Sequence, residues 1–208
     1  MARLINGING PFIGKVGAVV GSSWKGIPYI KTASERTKRV SEDEKKNREK
    51  FKKAQYWLQP LLDFVRQGFK GYTPTVEGFV AAKSYLLKNA IEKTDKGFFI
   101  NPSLMKVSFG DLPLPDNIRV QLLDNTLLQF SWEEPNKNHR YDQAMLLAYN
   151  IEKGKANMKL TGQFRSMESD SLSLKHEPGI YHVYIAFVAA DRSRQSHSVY
   201  LGEITSTG

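Results

Sequence analysis

The chain has 208 residues, 40% of them hydrophobic and 25% charged, with a net charge of +9, a composition that suits one generous globular domain or two small ones. It contains no cysteine, which excludes disulfides, thiolate zinc sites, iron–sulfur clusters and a cysteine nucleophile. No apolar run approaches the length of a membrane span, and Lys15 and several glycines interrupt the N-terminal apolar pieces, so neither a span nor a secretory signal is expected; the expectation is cytoplasmic synthesis, with the final compartment open and incorporation into a particle allowed.

Residues 4–31 set Gly7, Gly10, Gly14, Gly17, Gly21 and Gly26 among short apolar pieces such as Ile13, Val16, Val19 and Val20, followed by Trp24, Ile27, Tyr29 and Ile30. Glycine supplies positive φ and close backbone approach, so the pattern predicts one or two β-hairpins or an extended arm. A lone hairpin is marginal in water, and the segment is expected to lean on the following helices or on another subunit. Gly14, Val16, Gly17, Val19, Gly21, Trp24 and Tyr29 are therefore the candidate assembly residues.

Ser41 followed by Glu42, Asp43 and Glu44 reads as a helix start with a capping box. Phe51, Ala54, Leu58, Leu61, Leu62 and Val65 then recur at three- and four-residue spacing as one apolar stripe. Pro60 predicts a kink or a break near Gln59, and Gly68 and Gly71 an end. A second helix is expected over roughly 76–91, buried through Val76, Phe79, Val80, Leu86, Leu87, Ala90 and Ile91, antiparallel to the first.

The charge is unevenly placed. Residues 1–100 hold 19 Lys and Arg against 9 Asp and Glu, whereas residues 101–208 hold 11 against 12. The densest stretch is 31–53, in which Lys31, Arg36, Lys38, Arg39, Lys45, Lys46 and Arg48 are candidate contacts to an anionic partner, nucleic acid included. A solvated helix face explains the same run, with Glu42–Lys46 and Glu49–Lys53 as four-residue ion pairs. Only Asn47 supplies a base-reading side chain, so sequence-specific DNA binding is not expected.

From Phe98 onward the period changes to two, punctuated by Pro and Gly. The expected strands are 104–109, 118–123, 127–132, 143–150, 158–160, 171–174, 181–189 and 198–204, a spacing that reads as a β-sandwich. The fold class is thus α+β, with a boundary near 100/101.

Catalysis has no visible address. Gly14-Lys15 is followed by Val16 where a phosphate-binding loop needs Ser or Thr, and Gly14-Lys15-Val16-Gly17 does not join two helices as an RNA-binding Gly-x-x-Gly loop would. His139, His176, His182 and His197 have no metal-ligand spacing, although His182 and His197 are placed to meet across neighbouring strands. Glu133, Glu134, Asp142 and Glu168 show no acid–base pattern, and no nucleophile elbow occurs. The reading is a non-enzymatic structural or assembly protein without metal, cofactor or small-molecule substrate, whose partner is a second copy of itself or another protein. A nucleic-acid-associated protein and an adaptor using its sandwich are the alternatives.

Two stretches of the second half resemble a fibronectin type III domain: Leu127-Leu128-Gln129-Phe130-Ser131-Trp132 before Pro135, and Leu174 followed by Pro178-Gly179-Ile180-Tyr181. The resemblance covers about residues 115–204 and implies structural roles for Trp132, filling the space between sheets, and Tyr181, tying a loop to its strand. The Leu174-to-Tyr181 gap is one residue longer than that family's usual spacing, which implies a bulged corner. The whole chain also resembles an uncharacterised family of small basic bacterial proteins. The carriers are Gly7, Gly14-Lys15-Val16-Gly17, Val20-Gly21 and Trp24-Lys25-Gly26, then Asn47-Arg48, Phe51, Leu58 and Pro60, then Val107-Ser108, Gly110 and Leu112-Pro113, and last Trp132, Asp142 and Tyr149-Asn150. That resemblance implies no activity.

Overall fold

A computed structural model describes residues 2–33, 40–72, 77–94, 97–175 and 177–207. The fold is α+β, and every paired strand is antiparallel. Contacts divide the chain into two compact units, residues 1–42 and 43–208. The expected boundary at 100/101 falls inside the second, between a strand and a 3-10 turn.

The first unit is a four-stranded meander of β1 (Arg3–Leu4), β2 (Phe12–Val16), β3 (Val19–Trp24) and β4 (Ile27–Thr32). The second opens one residue into α1 (Glu42–Leu58), which is followed by a 3-10 turn at Gln59–Leu61 and α2 (Leu62–Gly68). Pro60 cannot donate its amide, and the backbone tightens there rather than breaking. Next come α3 (Gly78–Asn89) and a small hairpin of β5 (Ile91–Thr94) and β6 (Gly97–Ile100). α2 packs on α3. Val76, expected in the second helix, lies outside the described residues, and Ile91 opens β5 instead of closing the helix.

The strands β7 (Asp116–Leu123), β8 (Leu127–Glu133), β9 (Gln143–Asn150), β10 (Lys155–Lys159), β11 (Ser169–Ser173), β12 (Gly179–Val188) and β13 (Val199–Ser206) make two sheets, ordered β10-β9-β12-β13 and β11-β8-β7. Between them lies one core: Leu128, Phe130 and Trp132 from β8 meet Leu146 and Ala148 from β9 and Val183, Ile185 and Phe187 from β12. The Trp132 ring stands edge-on to Phe187 at 5.3 Å, and its indole N–H donates to the Arg165 carbonyl at 2.9 Å. The Tyr181 hydroxyl donates to the Glu177 carbonyl, four residues upstream, at 2.9 Å.

The helices cover the other face of the four-stranded sheet, so the second unit has three layers. Trp57, Leu58, Leu61, Phe64 and Val65 pack with Met145, Leu147 and Tyr149 of β9 and Tyr184, Ala186 and Val188 of β12 in a second core. Two buried hydroxyls bridge the layers: Tyr149 donates to the Trp57 carbonyl at 3.0 Å, and Tyr184 to the Pro102 carbonyl at 2.8 Å. Of the expected stripe, Phe51 is exposed, one turn before the covered stretch, with the Lys83 ammonium over its ring.

The expected strand at 104–109 is absent from the described ladders. Pro102 starts a 3-10 turn over Pro102–Leu104, and the residues after it bond to loops and side chains rather than to a strand: the Val107 N–H donates to Ser198 Oγ at 2.9 Å and the Phe109 N–H to the Gly68 carbonyl at 2.8 Å.

Burial, aided by the neighbouring Tyr56, pushes the Tyr149 hydroxyl up to about 12. The buried phenol stays protonated after the unfolded one, near 10, has ionised; the native state then holds the extra proton, and stability falls as pH rises from about 10 through about 12. Tyr149→Phe is expected to cost about 1 kcal/mol at neutral pH through the lost hydrogen bond and to make the alkaline loss shallower. Urea midpoints compared across that window check both.

Candidate functional site

The first unit is dense in exposed apolar surface: among the described residues it holds nine of the 21 exposed large hydrophobic side chains. Its turns follow from sequence: Val16 pairs with Val19 around Gly17-Ala18, and Trp24 with Ile27 around Lys25-Gly26. Positive φ at Lys25 (50°) and Gly26 (83°) is the two-residue hairpin turn whose twist matches that of its strands. Gly21 has a different reason, since a Cβ there would lie 2.1 Å from the Phe12 carbonyl oxygen and 2.7 Å from its ring; the bare backbone leaves room for both.

Register then decides what each face presents. Gly14 pairs with Gly21 and Gly21 with Ile30, Val16 with Val19 and Val19 with Thr32, and Leu4 with Phe12. Paired residues share a face and next-but-one residues return to it. One face therefore carries Leu4, Phe12, Val16, Val19, Pro28 and Ile30 and no charged residue. Leu4, Phe12, Val16 and Val19 line a crevice of about 490 Å³ on it, with Ala2 and Arg3 of the β1 edge at its rim. The other face carries Arg3, Lys15, Trp24, Tyr29 and Lys31, with Lys15, Val20 and Lys31 in one cross-strand row.

Among residues 2–33 only Gly21 is buried, and Trp24 (63% exposed), Ile27, Ile30 (67%), Ile13 and Val16 all face solvent. The β4 edge has no strand beyond it among the described residues. Because Trp24 and Ile27 close the turn, and the Ala33 N–H donates to the Ala18 carbonyl at 2.7 Å, the backbone groups of Ile30 and Thr32 point outward. Pro28 removes the third outward donor.

The candidate assembly residues thus gather in one sheet: Gly14 and Val16 on β2, Gly17 in the turn, Val19, Gly21 and Trp24 on β3, and Tyr29 on β4. Sequence reasoning passed over Phe12 and Leu4, whose signal was alternation with Gly14 and Val16 along a single face. The candidate anion contacts divide. Lys31 lies on β4 with its ammonium over Tyr29 at 5.9 Å, while Lys45, Lys46 and Arg48 lie on α1 in the other unit. Arg48 is paired with Glu44 at 2.8 Å, and Lys53 reaches the Phe98 carbonyl rather than Glu49. Arg36, Lys38 and Arg39 lie outside the described residues.

The expected meeting of His182 and His197 does not occur, because β13 places Glu203 opposite His182. His182 Nδ1 sits 3.0 Å from the Tyr200 hydroxyl, and burial depresses its basicity. His197 precedes β13 and accepts from the Gly110 N–H at 3.3 Å, its ring 4.4 Å from Phe109. Among the described residues no group of three or more His, Asp and Glu is arranged to hold a metal ion, and no helix is long and apolar enough to cross a membrane.

The model of a family of unknown function, DUF6266, matches residues 11–202. No curated protein matches the chain.

Proposed function

The chain belongs to DUF6266, a family described as of unknown function, and we propose that this member is a non-enzymatic structural subunit that joins a larger particle of the tail, sheath or filament kind through its N-terminal sheet. One observation carries the reading: a sheet with a single buried residue exposes Leu4, Val16, Val19 and Ile30 to water on its uncharged face. An isolated small sheet needs a hydrophobic face packed on something, and contiguous exposed apolar surface marks interaction sites. The uncharged face and the open β4 edge suit a neighbouring subunit that adds a strand, and an asymmetric contact of that kind repeats into rings or filaments.

On the same proposal residues 101–208 form a fibronectin type III-like sandwich that folds without the sheet. The strand orders β11-β8-β7 and β10-β9-β12-β13, with Trp132 between the sheets and the Tyr181 hydroxyl on Glu177, support this. An adaptor reading through the four-stranded sheet is less well supported, since helices cover its outer face.

Light scattering on the full chain and on a form lacking residues 1–35 tests the role. The full chain is expected to associate with rising concentration, and the shortened form to remain a folded monomer with the same unfolding midpoint. A full chain that stays monomeric at every concentration rejects the proposal. Ile30→Glu is expected to reduce association to the level of the shortened form.

A further inference from the structure

The face of the N-terminal sheet that the assembly role leaves unused has a chemistry of its own. Arg3, Lys15, Trp24, Tyr29 and Lys31 stand on it together, and residues 2–33 contain four basic residues and no acidic one. We propose that this face binds single-stranded nucleic acid, a function beyond assembly that uses the opposite side of the same sheet.

Charge sets the sign of the partner. A surface with cations in a row and no carboxylate among its described residues attracts a polyanion, and each neutralised phosphate releases condensed counterions. The aromatic rings choose among polyanions. Trp24 and Tyr29 are diagonal neighbours on β3 and β4, because Trp24 pairs with Ile27, two residues before Tyr29. Such positions lie roughly 7–8 Å apart. Bases stacked in a duplex are separated by about 3.4 Å along each strand, so the two rings fit bases that have been splayed apart and not a paired helix. Rings presented on an antiparallel sheet are a known way of stacking unpaired bases.

The lysines are placed to hold the backbone at the same time. The Lys25 ammonium lies 5.3 Å from the Trp24 ring centre and the Lys31 ammonium 5.9 Å from that of Tyr29. A base stacked on either ring has its phosphate beside a cation. A lipid surface fits less well, because Lys15 and Lys31 stand in a cross-strand row within the sheet and would be drawn toward the acyl chains if Trp24 and Ile27 inserted.

Trp24 makes the test selective, since Trp57 and Trp132 are 5% and 2% exposed. An oligothymidylate of about 12 nucleotides is titrated into the full chain, with tryptophan emission and the anisotropy of a labelled strand as readouts. Quenching is expected, with affinity falling about 18-fold between roughly 50 and 200 mM salt if three phosphates are neutralised. Trp24→Ala is expected to lower affinity about tenfold, and Lys15→Gln with Lys31→Gln to remove most of the salt dependence. Ile30→Thr, on the other face, should leave strand binding unchanged whether or not association weakens, which keeps this proposal separable from the assembly role. Three results overturn it: no quenching at low salt, an affinity that Lys15→Gln with Lys31→Gln leaves intact, or binding to phosphatidylglycerol vesicles without binding to the oligonucleotide.

Discussion

Replacing Arg165 by alanine is expected to cost about 3–5 kcal/mol of folding stability. The side chain is 1% exposed, its Nε donates to Glu134 Oε2, its Nη1 donates to the Pro113 carbonyl at 2.7 Å, and Asp142 Oδ2 lies 3.8 Å away. The guanidinium also lies over the Phe187 ring at 5.2 Å. Truncation leaves the Glu134 carboxylate, with its side chain 4% exposed, buried without its counter-charge. Breaking a buried pair from one side is far more damaging than replacing the pair. Arg165→Met with Glu134→Gln should therefore unfold closer to the natural protein than Arg165→Ala alone. Urea titrations report this as a lowered midpoint at constant slope, and a loss under about 1 kcal/mol would mean that the network is solvated. The bond from the Trp132 indole uses the Arg165 carbonyl and survives either change.

That network was not legible in advance, because Glu134 and Arg165 are 31 residues apart and nothing local marks them as partners. The strands were more legible. The expected bounds of β9 match both its ends, Gln143–Asn150, and those of β12 come within two residues, since alternation and Pro-Gly punctuation are local signals. The helical layer on the sheet was also written in those strands and went unread: Ala144 to Tyr149 is a continuous apolar run, and a strand buried on both faces reads that way. The segment 104–109 misled because its apolar pattern serves packing while its amides bond elsewhere.

At the N-terminal sheet, glycine spacing suggested hairpins and composition showed the basic bias. Which residues share a face depends on register, and register depends on the Gly17-Ala18 and Lys25-Gly26 turns. Trp24 and Tyr29 belong to the cationic face and Val16 and Val19 to the uncharged one, a division that grouping them as one set of assembly residues obscured.

Gly110→Ala is expected to destabilise the protein by about 3 kcal/mol, or about 6–12 °C in Tm for a chain of this size. The segment around it is a seam between helix and sheet edge. Ser108 Oγ donates to the Ser196 carbonyl at 2.7 Å, the Ser198 N–H donates to the Ser108 carbonyl at 2.9 Å, and Gln195 Nε2 donates to the Phe109 and Lys70 carbonyls at 3.0 and 2.7 Å. A Cβ on Gly110 would lie 2.0 Å from the Gln195 carbonyl oxygen. That oxygen accepts from the Leu112 N–H at 3.1 Å, so moving it loosens the seam on both sides. Gly71 provides the contrast, with φ at +72° and nothing within 4 Å of an added Cβ. Alanine there meets only the conformational penalty of a left-handed residue, about 1 kcal/mol. If thermal unfolding shows Gly110→Ala to be no worse than Gly71→Ala, the backbone around Gln195 yields without resistance and the seam does not hold the layers together. A loss near 3 kcal/mol means that the layers are joined through main-chain contact, which explains a glycine at this place without any appeal to a ligand.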